Sequence, residues 1–335
     1  MSKLNLHIDQ LNLESGKTLT DVDIAYHTYG TLNVDKSNVI WVCHALTANS
    51  DAADWWGNLI GEGKIYDPKK YFIICANILG SCYGTTGPLS INKQNDKIYF
   101  NNFPFFTVRD IVTTLDILKA HLSINTIHTI IGGSLGGFQA LEWMIHSPSL
   151  FKNAVLLVTN AKQSSWGKGI HTVQRMAIEA DEKWNKNTIY DDSKGLKIAR
   201  AIGLLTYRHY EAFEKTQADN ANTLKNFKVE SYMKYQGGKL LKRFNPYSYY
   251  VLANAMDTHD IGRGRESKEK VLANIKTKTQ LIGINSDLLC PIQEQEFMEA
   301  HMPNAKLDVI ESIYGHDGFL IEGKKITNVL KQFYK

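Results

Sequence analysis

Short apolar runs alternate along this chain with longer amphipathic ones. Asn38-Val-Ile-Trp-Val-Cys43, Tyr71-Phe-Ile-Ile-Cys-Ala76, Ile127-His-Thr-Ile-Ile131, Ala154-Val-Leu-Leu-Val-Thr159 and Thr279-Gln-Leu-Ile-Gly-Ile284 are short, rich in β-branched residues and apolar on both faces. Such runs read as strands buried on both sides. Leu307-Asp-Val-Ile310 reads as a last strand. Between them the period changes. Val108, Ile111, Leu115 and Leu118 keep helical spacing over 107–122, and Thr107 can cap that helix. Phe138 to Ile145 is a second helix, stopped by Ser147-Pro148. Segments 293–301 and 326–333 are helical as well. Residues 4–30 alternate around a turn at Glu14-Ser-Gly16, which suggests an antiparallel hairpin. Strands that alternate with helices imply a mostly parallel sheet with helices on both faces.

The texture changes after Asn160. Residues 161–258 hold no convincing buried strand, but carry helix-forming stretches at 171–179, 195–207 and 245–256. The pattern predicts a core of 1–160 and 259–335 interrupted by a helical insertion, 161–258.

Composition narrows the class. The chain has 335 residues, 43% hydrophobic and 21% charged, an ordinary balance for a sizeable core. The net charge of +4 is too mild to argue for nucleic acid, yet tolerates an anionic substrate. No apolar run is long enough to span a bilayer, and the first residues carry no hydrophobic signal core. Cys43, Cys75, Cys82 and Cys290 show neither C-x-x-C spacing nor a metal-like cluster with histidine. They read as small buried residues of a reducing compartment. The expectation is a cytoplasmic protein with no metal.

The chemistry centres on Gly132-Gly-Ser134-Leu-Gly136. This G-x-S-x-G lies between a predicted strand and a predicted helix, the context a nucleophile elbow requires. The strand lifts the Ser134 hydroxyl above the sheet, and the helix aims its first amides at any oxyanion formed there. Neither G-x-G-x-x-G nor a P-loop lysine is present at this turn. A serine needs a base, and the base an orienting acid. In hydrolase-type α/β folds these follow in the order Ser, acid, His. His316 alone among the downstream histidines follows a late strand in a short glycine-bounded loop, Gly315-His-Asp-Gly318, and Asp287 follows a strand in the same way. They are assigned as base and acid, with His259 and Asp257 or Asp260 as the fallback. One oxyanion-hole amide belongs to Leu135. The other belongs to the loop Ala45-Leu-Thr47, where Leu46 is chosen. His44 reads as a packing residue.

With these residues placed, the chain resembles the homoserine O-acetyltransferase family of the α/β-hydrolase superfamily over nearly its whole length. The likeness rests on Cys43-His-Ala-Leu-Thr47, 71–80, Gly84-Thr-Thr-Gly-Pro88, Thr107-Val-Arg-Asp110, 132–143, Leu205-Thr-Tyr-Arg208, 257–264, Ser286-Asp287 and 314–320. The resemblance implies an α/β-hydrolase fold with a helical lid and a triad of Ser134, Asp287 and His316. It also implies an acceptor site of Arg200, Tyr207 and Asp317. It implies ping-pong transfer of acetyl from acetyl-CoA to L-homoserine for methionine biosynthesis, without a tightly bound cofactor. It further implies a homodimer paired through the insertions. The chemistry suits the residues. Arg200 can fork onto the carboxylate of homoserine, and Asp317 can hold its ammonium. Ala48, Phe138 and Cys290 depart from the family's usual residues. The insertion is also on the short side, and it and the change at the elbow bear on the acyl pocket, and so on acetyl against succinyl; related enzymes also acylate serine. The rival readings are a hydrolase with the same triad, such as an esterase, lipase or peptidase, and a non-catalytic binding protein on this fold.

Overall fold

The computed structural model describes residues 2–335. Eight strands form one sheet: β1 (Ser2–Asn12), β2 (Thr18–Tyr29), β3 (Val39–Cys43), β4 (Phe72–Ala76), β5 (Ile127–Gly133), β6 (Phe151–Leu157), β7 (Lys278–Ile284) and β8 (Ala305–Ile310). Their spatial order is β1-β2-β4-β3-β5-β6-β7-β8. The first two strands form the expected antiparallel hairpin, β2 runs antiparallel to β4, and every later pairing is parallel. The chain steps outward from β3 to β4, then crosses back to β5. The crevice at the carboxyl ends of β3 and β5 is therefore the topological switch point, where such sheets bind ligands.

Alternation along the strands decides which side each residue feeds. Val39, Trp41 and Cys43 of β3 join Ile127 and Ile130 of β5 on the face covered by α1 (Val108–His121) and α2 (Leu135–His146). Trp41 meets Trp143 of α2 edge to face at 4.8 Å. Ile40, Val42 and Ile131 point the other way, onto Trp56 and a C-terminal helix at Gly323–Phe333. Thr107 caps α1 with a reciprocal capping box to Asp110, as its sequence predicts. Strand β6 begins earlier and ends earlier than its apolar run suggests. Val158 takes φ +42°, so the chain turns there and delivers Thr159 and Asn160 to the site rather than to the ladder.

Five longer helices follow β6: α3 (Ser165–Glu179), α4 (Lys194–Tyr207), α5 (Tyr210–Gln217), α6 (Lys228–Leu241) and α7 (Pro246–Asp257). The two ends of this helical stretch lie side by side. Lys162 and Asp260 form an antiparallel bridge, and the Gln163 N–H donates to His259 O at 2.8 Å. Ile178, Leu196, Leu240, Tyr247, Leu252 and Met256 share one core with Leu46, Ile78, Phe106, Leu135 and Phe138. The helices are thus seated on the sheet's carboxyl edge by a common apolar layer, not hung from a linker. No helix among the described residues is long and apolar enough to cross a membrane.

Candidate active site

Ser134 sits between β5 and α2 with φ +56° and ψ −124°, a strained conformation for a side-chain-bearing residue. The surroundings enforce it. Ser134 N–H donates to Leu157 O at 3.0 Å, and its carbonyl accepts from Gly137 N–H at 2.8 Å and the Thr159 hydroxyl at 3.1 Å. A Cβ at Gly132 would stand 2.3 Å from Gly136 O, and one at Gly136 would stand 2.1 Å from Cys43 O. The two glycines of the motif are therefore demanded by close backbone approach. Their effect is to let α2 start directly against the end of β3.

The loops after β7 and β8 bring Asp287 and His316 together. His316 Nδ1–H donates to Asp287 Oδ2 at 2.7 Å, while Asp287 Oδ1 accepts from the amides of Leu289 and Cys290 at 2.8 and 2.9 Å. Ser286 ties the two loops, donating to Ser312 O and accepting from Gly315 N–H. With Nδ1 protonated toward the carboxylate, Nε2 is the free edge of the ring; it is buried and has no partner among the described residues. Burial pushes the His316 imidazole down, but Asp287, with help from Asp317, outweighs it and holds its pKa above the ordinary histidine value. No hydrogen bond joins Ser134 Oγ to His316 among the described residues. The two residues line the same cavity, where such contacts often tighten only with substrate bound.

Asp287, Cys290 and His316 bring ligand-type atoms within 4.8 Å of one another. They do not suit a cation. Both Asp287 oxygens are already taken, and burial drives the Cys290 thiol pKa well up, which keeps it protonated.

The amides proposed for an oxyanion lie at the switch point. Neither Leu46 N–H nor Leu135 N–H donates to a backbone acceptor among the described residues. His44 is a strut for that loop, as its sequence context suggests. Its Nε2 accepts from Ile78 N–H at 3.1 Å, which leaves Nδ1–H to donate to Ala45 O at 2.9 Å. Full burial lowers its pKa to about 4, so it stays neutral. Gln139 adds a bond to His44 O.

A cavity of about 410 Å³ joins these parts. Ser134, His316 and Leu46 line it, together with Arg200, Tyr207 and Asp317. Arg200 and Tyr207 lie on one face of α4, with the guanidinium 5.6 Å from the ring centre; that ring is 6.0 Å from the His316 ring. Asp317 has a partner the sequence reading missed: Arg208 Nε donates to its Oδ2 at 3.4 Å. Burial raises the Asp317 pKa, opposed by Arg200, Arg208 and His316. Arg208 caps α4 in extended backbone, so helical periodicity gave no clue to its direction. Trp55, Met256 and Phe319 complete the apolar part of the wall.

The fallback residues lie elsewhere. His259 stacks on Phe138 at 3.9 Å, and its Nε2–H donates to Asn160 O; burial takes its pKa to about 4. Asp257 holds His171 and Arg175, and Asp260 holds Lys162. Of the three family departures, Ala48 lines the cavity, Cys290 backs Asp287, and Phe138 faces His259.

Known proteins fit this architecture. The sequence model of the α/β-hydrolase fold matches residues 38–322. The homoserine O-acetyltransferase of Cyclobacterium marinum is 48% identical over 97% of this chain and 93% of its own. The crystal structure of homoserine O-acetyltransferase from Bacillus anthracis superposes with a TM-score of 0.91 at 28% identity, covering 98% of this chain and 96% of that one. Esterase E22 superposes at 0.90 with 23% identity, covering 100% of both chains, a likeness of fold alone. The hydrolase core, the elbow with its acid–base pair and the match along nearly the whole chain lead to one placement: this chain belongs to the homoserine O-acetyltransferase family of the α/β-hydrolase fold.

Proposed function

We propose that this enzyme moves the acetyl group of acetyl-CoA onto the hydroxyl of L-homoserine in two steps through Ser134. The observation that carries the reading is a single cavity lined both by Ser134 and His316 and by Arg200, Tyr207 and Asp317. An esterase needs the first set. Only an enzyme that orients a zwitterionic acceptor needs the second as well.

In the first step Ser134 Oγ attacks the thioester carbon while His316 Nε2 takes its proton. The tetrahedral oxyanion lies against the amides of Leu46 and Leu135, contacts typically worth about 3 kcal/mol each. The C–S bond breaks, and His316 returns the proton to the leaving thiolate. Homoserine then enters. Arg200 takes its carboxylate, and Asp317, kept in place by Arg208, takes its ammonium. Its hydroxyl gives a proton to His316 Nε2 and attacks the acyl carbon, and Ser134 leaves as the alcohol. Asp287 holds the His316 ring through Nδ1 and stabilises the imidazolium of both half-reactions. The product is O-acetyl-L-homoserine, for methionine biosynthesis. No tightly bound cofactor takes part.

The insertion 161–258 acts as the lid of this site and limits water, to which an acyl-serine is as open as to an alcohol. It also supplies the dimer contact. Trp166, Val173 and Met176 on α3, and Ile198 and Leu205 on α4, are exposed, an apolar surface of the kind that marks protein–protein contact. We assign the enzyme to the cytoplasm, where its four free cysteines stay reduced.

Intact-protein mass spectrometry after mixing with acetyl-CoA alone tests the scheme. One acetyl group should accumulate on Ser134 and leave on addition of homoserine. A protein that never carries acetyl while turning over would contradict it.

A further inference from the structure

A second cavity of about 440 Å³ adjoins the catalytic one and shares Arg243 with it. Its walls come from the loop between Ser81 and Ser90 and from the turn that joins α6 to α7, and no acidic residue lines it. Ser81 is 2% exposed, lines this cavity, and its hydroxyl has no hydrogen-bond partner among the described residues. Lys242 pairs with no carboxylate there, and Arg243 donates to Thr47 and the Tyr83 hydroxyl, again to no carboxylate. Cations near the end of α6 also complement the helix dipole. That account leaves the buried Ser81 hydroxyl unexplained. Two cations and an orphaned hydroxyl on the walls of one cavity are the donors that a phosphate-bearing group takes.

We propose that this second cavity holds the phosphate-bearing nucleotide end of the thioester donor, an inference that rests on the acetyl-CoA reading above. Arg243 then stands where the donor's arm passes from one cavity to the other, its guanidinium fixed by Thr47 of the oxyanion loop. The donor's nucleotide contributes binding remote from the chemistry, so its loss is felt chiefly in KM.

The test is a donor series at saturating homoserine: acetyl-CoA, acetyl-3′-dephospho-CoA and acetyl-pantetheine, with the wild-type enzyme and with Lys242→Ala. The expected result is a loss of about tenfold or more in kcat/KM from acetyl-CoA to acetyl-pantetheine, mostly in KM. Lys242→Ala should raise KM for acetyl-CoA about tenfold, while leaving KM for acetyl-pantetheine and for homoserine unmoved. Equal kcat/KM for acetyl-CoA and acetyl-pantetheine, or a Lys242→Ala enzyme impaired alike with both, overturns the inference while the transferase reading stands. Failure of every donor to acetylate homoserine overturns the acetyl-CoA reading itself, and this inference with it.

Discussion

His316 Nδ1 lies 2.7 Å from Asp287 Oδ2, and this contact outweighs burial to lift the imidazole pKa above its usual value. A base must be neutral to accept a proton, so kcat/KM for the acetyl donor should fall as pH drops through a point above about 6.5. Asp287→Asn should move that limb to lower pH and cut kcat by about 10⁴-fold. Stability has the opposite sign. A raised folded-state pKa contributes stability that is present below the unfolded value and lost as pH climbs through the folded one. Rate and denaturation measured across pH 5–9 check both signs.

Arg200 and Arg208 should separate in kinetics. Arg200→Ala removes the carboxylate partner of the acceptor and should raise KM for homoserine about a hundredfold, leaving KM for acetyl-CoA within about threefold. Arg208→Ala releases Asp317, a partly buried contact at 3.4 Å, and uncovers the Tyr232 ring 5.6 Å from the guanidinium; it should raise KM for homoserine by about three- to tenfold. Steady-state kinetics with each substrate varied in turn decides. Equal effects on both KM values would remove Arg200 from the acceptor site.

Gly136→Ala is expected to fail in folding rather than in chemistry. Its methyl group would stand 2.1 Å from Cys43 O, where backbone has to move. The cost should reach about 3 kcal/mol, the upper end of overpacking, and appear as a lowered denaturation midpoint with an unchanged slope.

What could be read in the sequence was what is local. The elbow, the Thr107 cap and the loops bearing Asp287 and His316 each announce themselves within a few residues of a buried strand, and the fold brings those loops to one edge. The helices α5 and α6 went unread for a physical reason. α5 buries Ala212 alone, and α6 buries only Gly237 and Leu240, so neither shows an apolar stripe. Arg208 and Arg243 acquire meaning only through partners more than a hundred residues away, Asp317 and Thr47. The acceptor roles proposed for Arg200, Tyr207 and Asp317 rest on family likeness, and for the first two helical spacing alone fits an ordinary lid helix equally well.

The apolar surface of α3 and α4 predicts the assembly. Met176 and Leu205 are each 59% exposed. Changing both to Asp should convert a dimer into a monomer in light scattering while leaving the helical signal intact. A wild-type protein that is already monomeric at working concentration would dispose of the lid-to-lid contact.

The most direct measurement is thiol release from acetyl-CoA with and without L-homoserine, on wild-type enzyme and on Ser134→Ala. The account predicts sustained release only when homoserine is present, with O-acetyl-L-homoserine formed in equal amount. It also predicts loss of about four orders of magnitude or more in Ser134→Ala. Sustained release that ignores homoserine would mean that water is the acceptor, and would contradict the transferase while leaving Ser134, Asp287 and His316 as a hydrolytic triad.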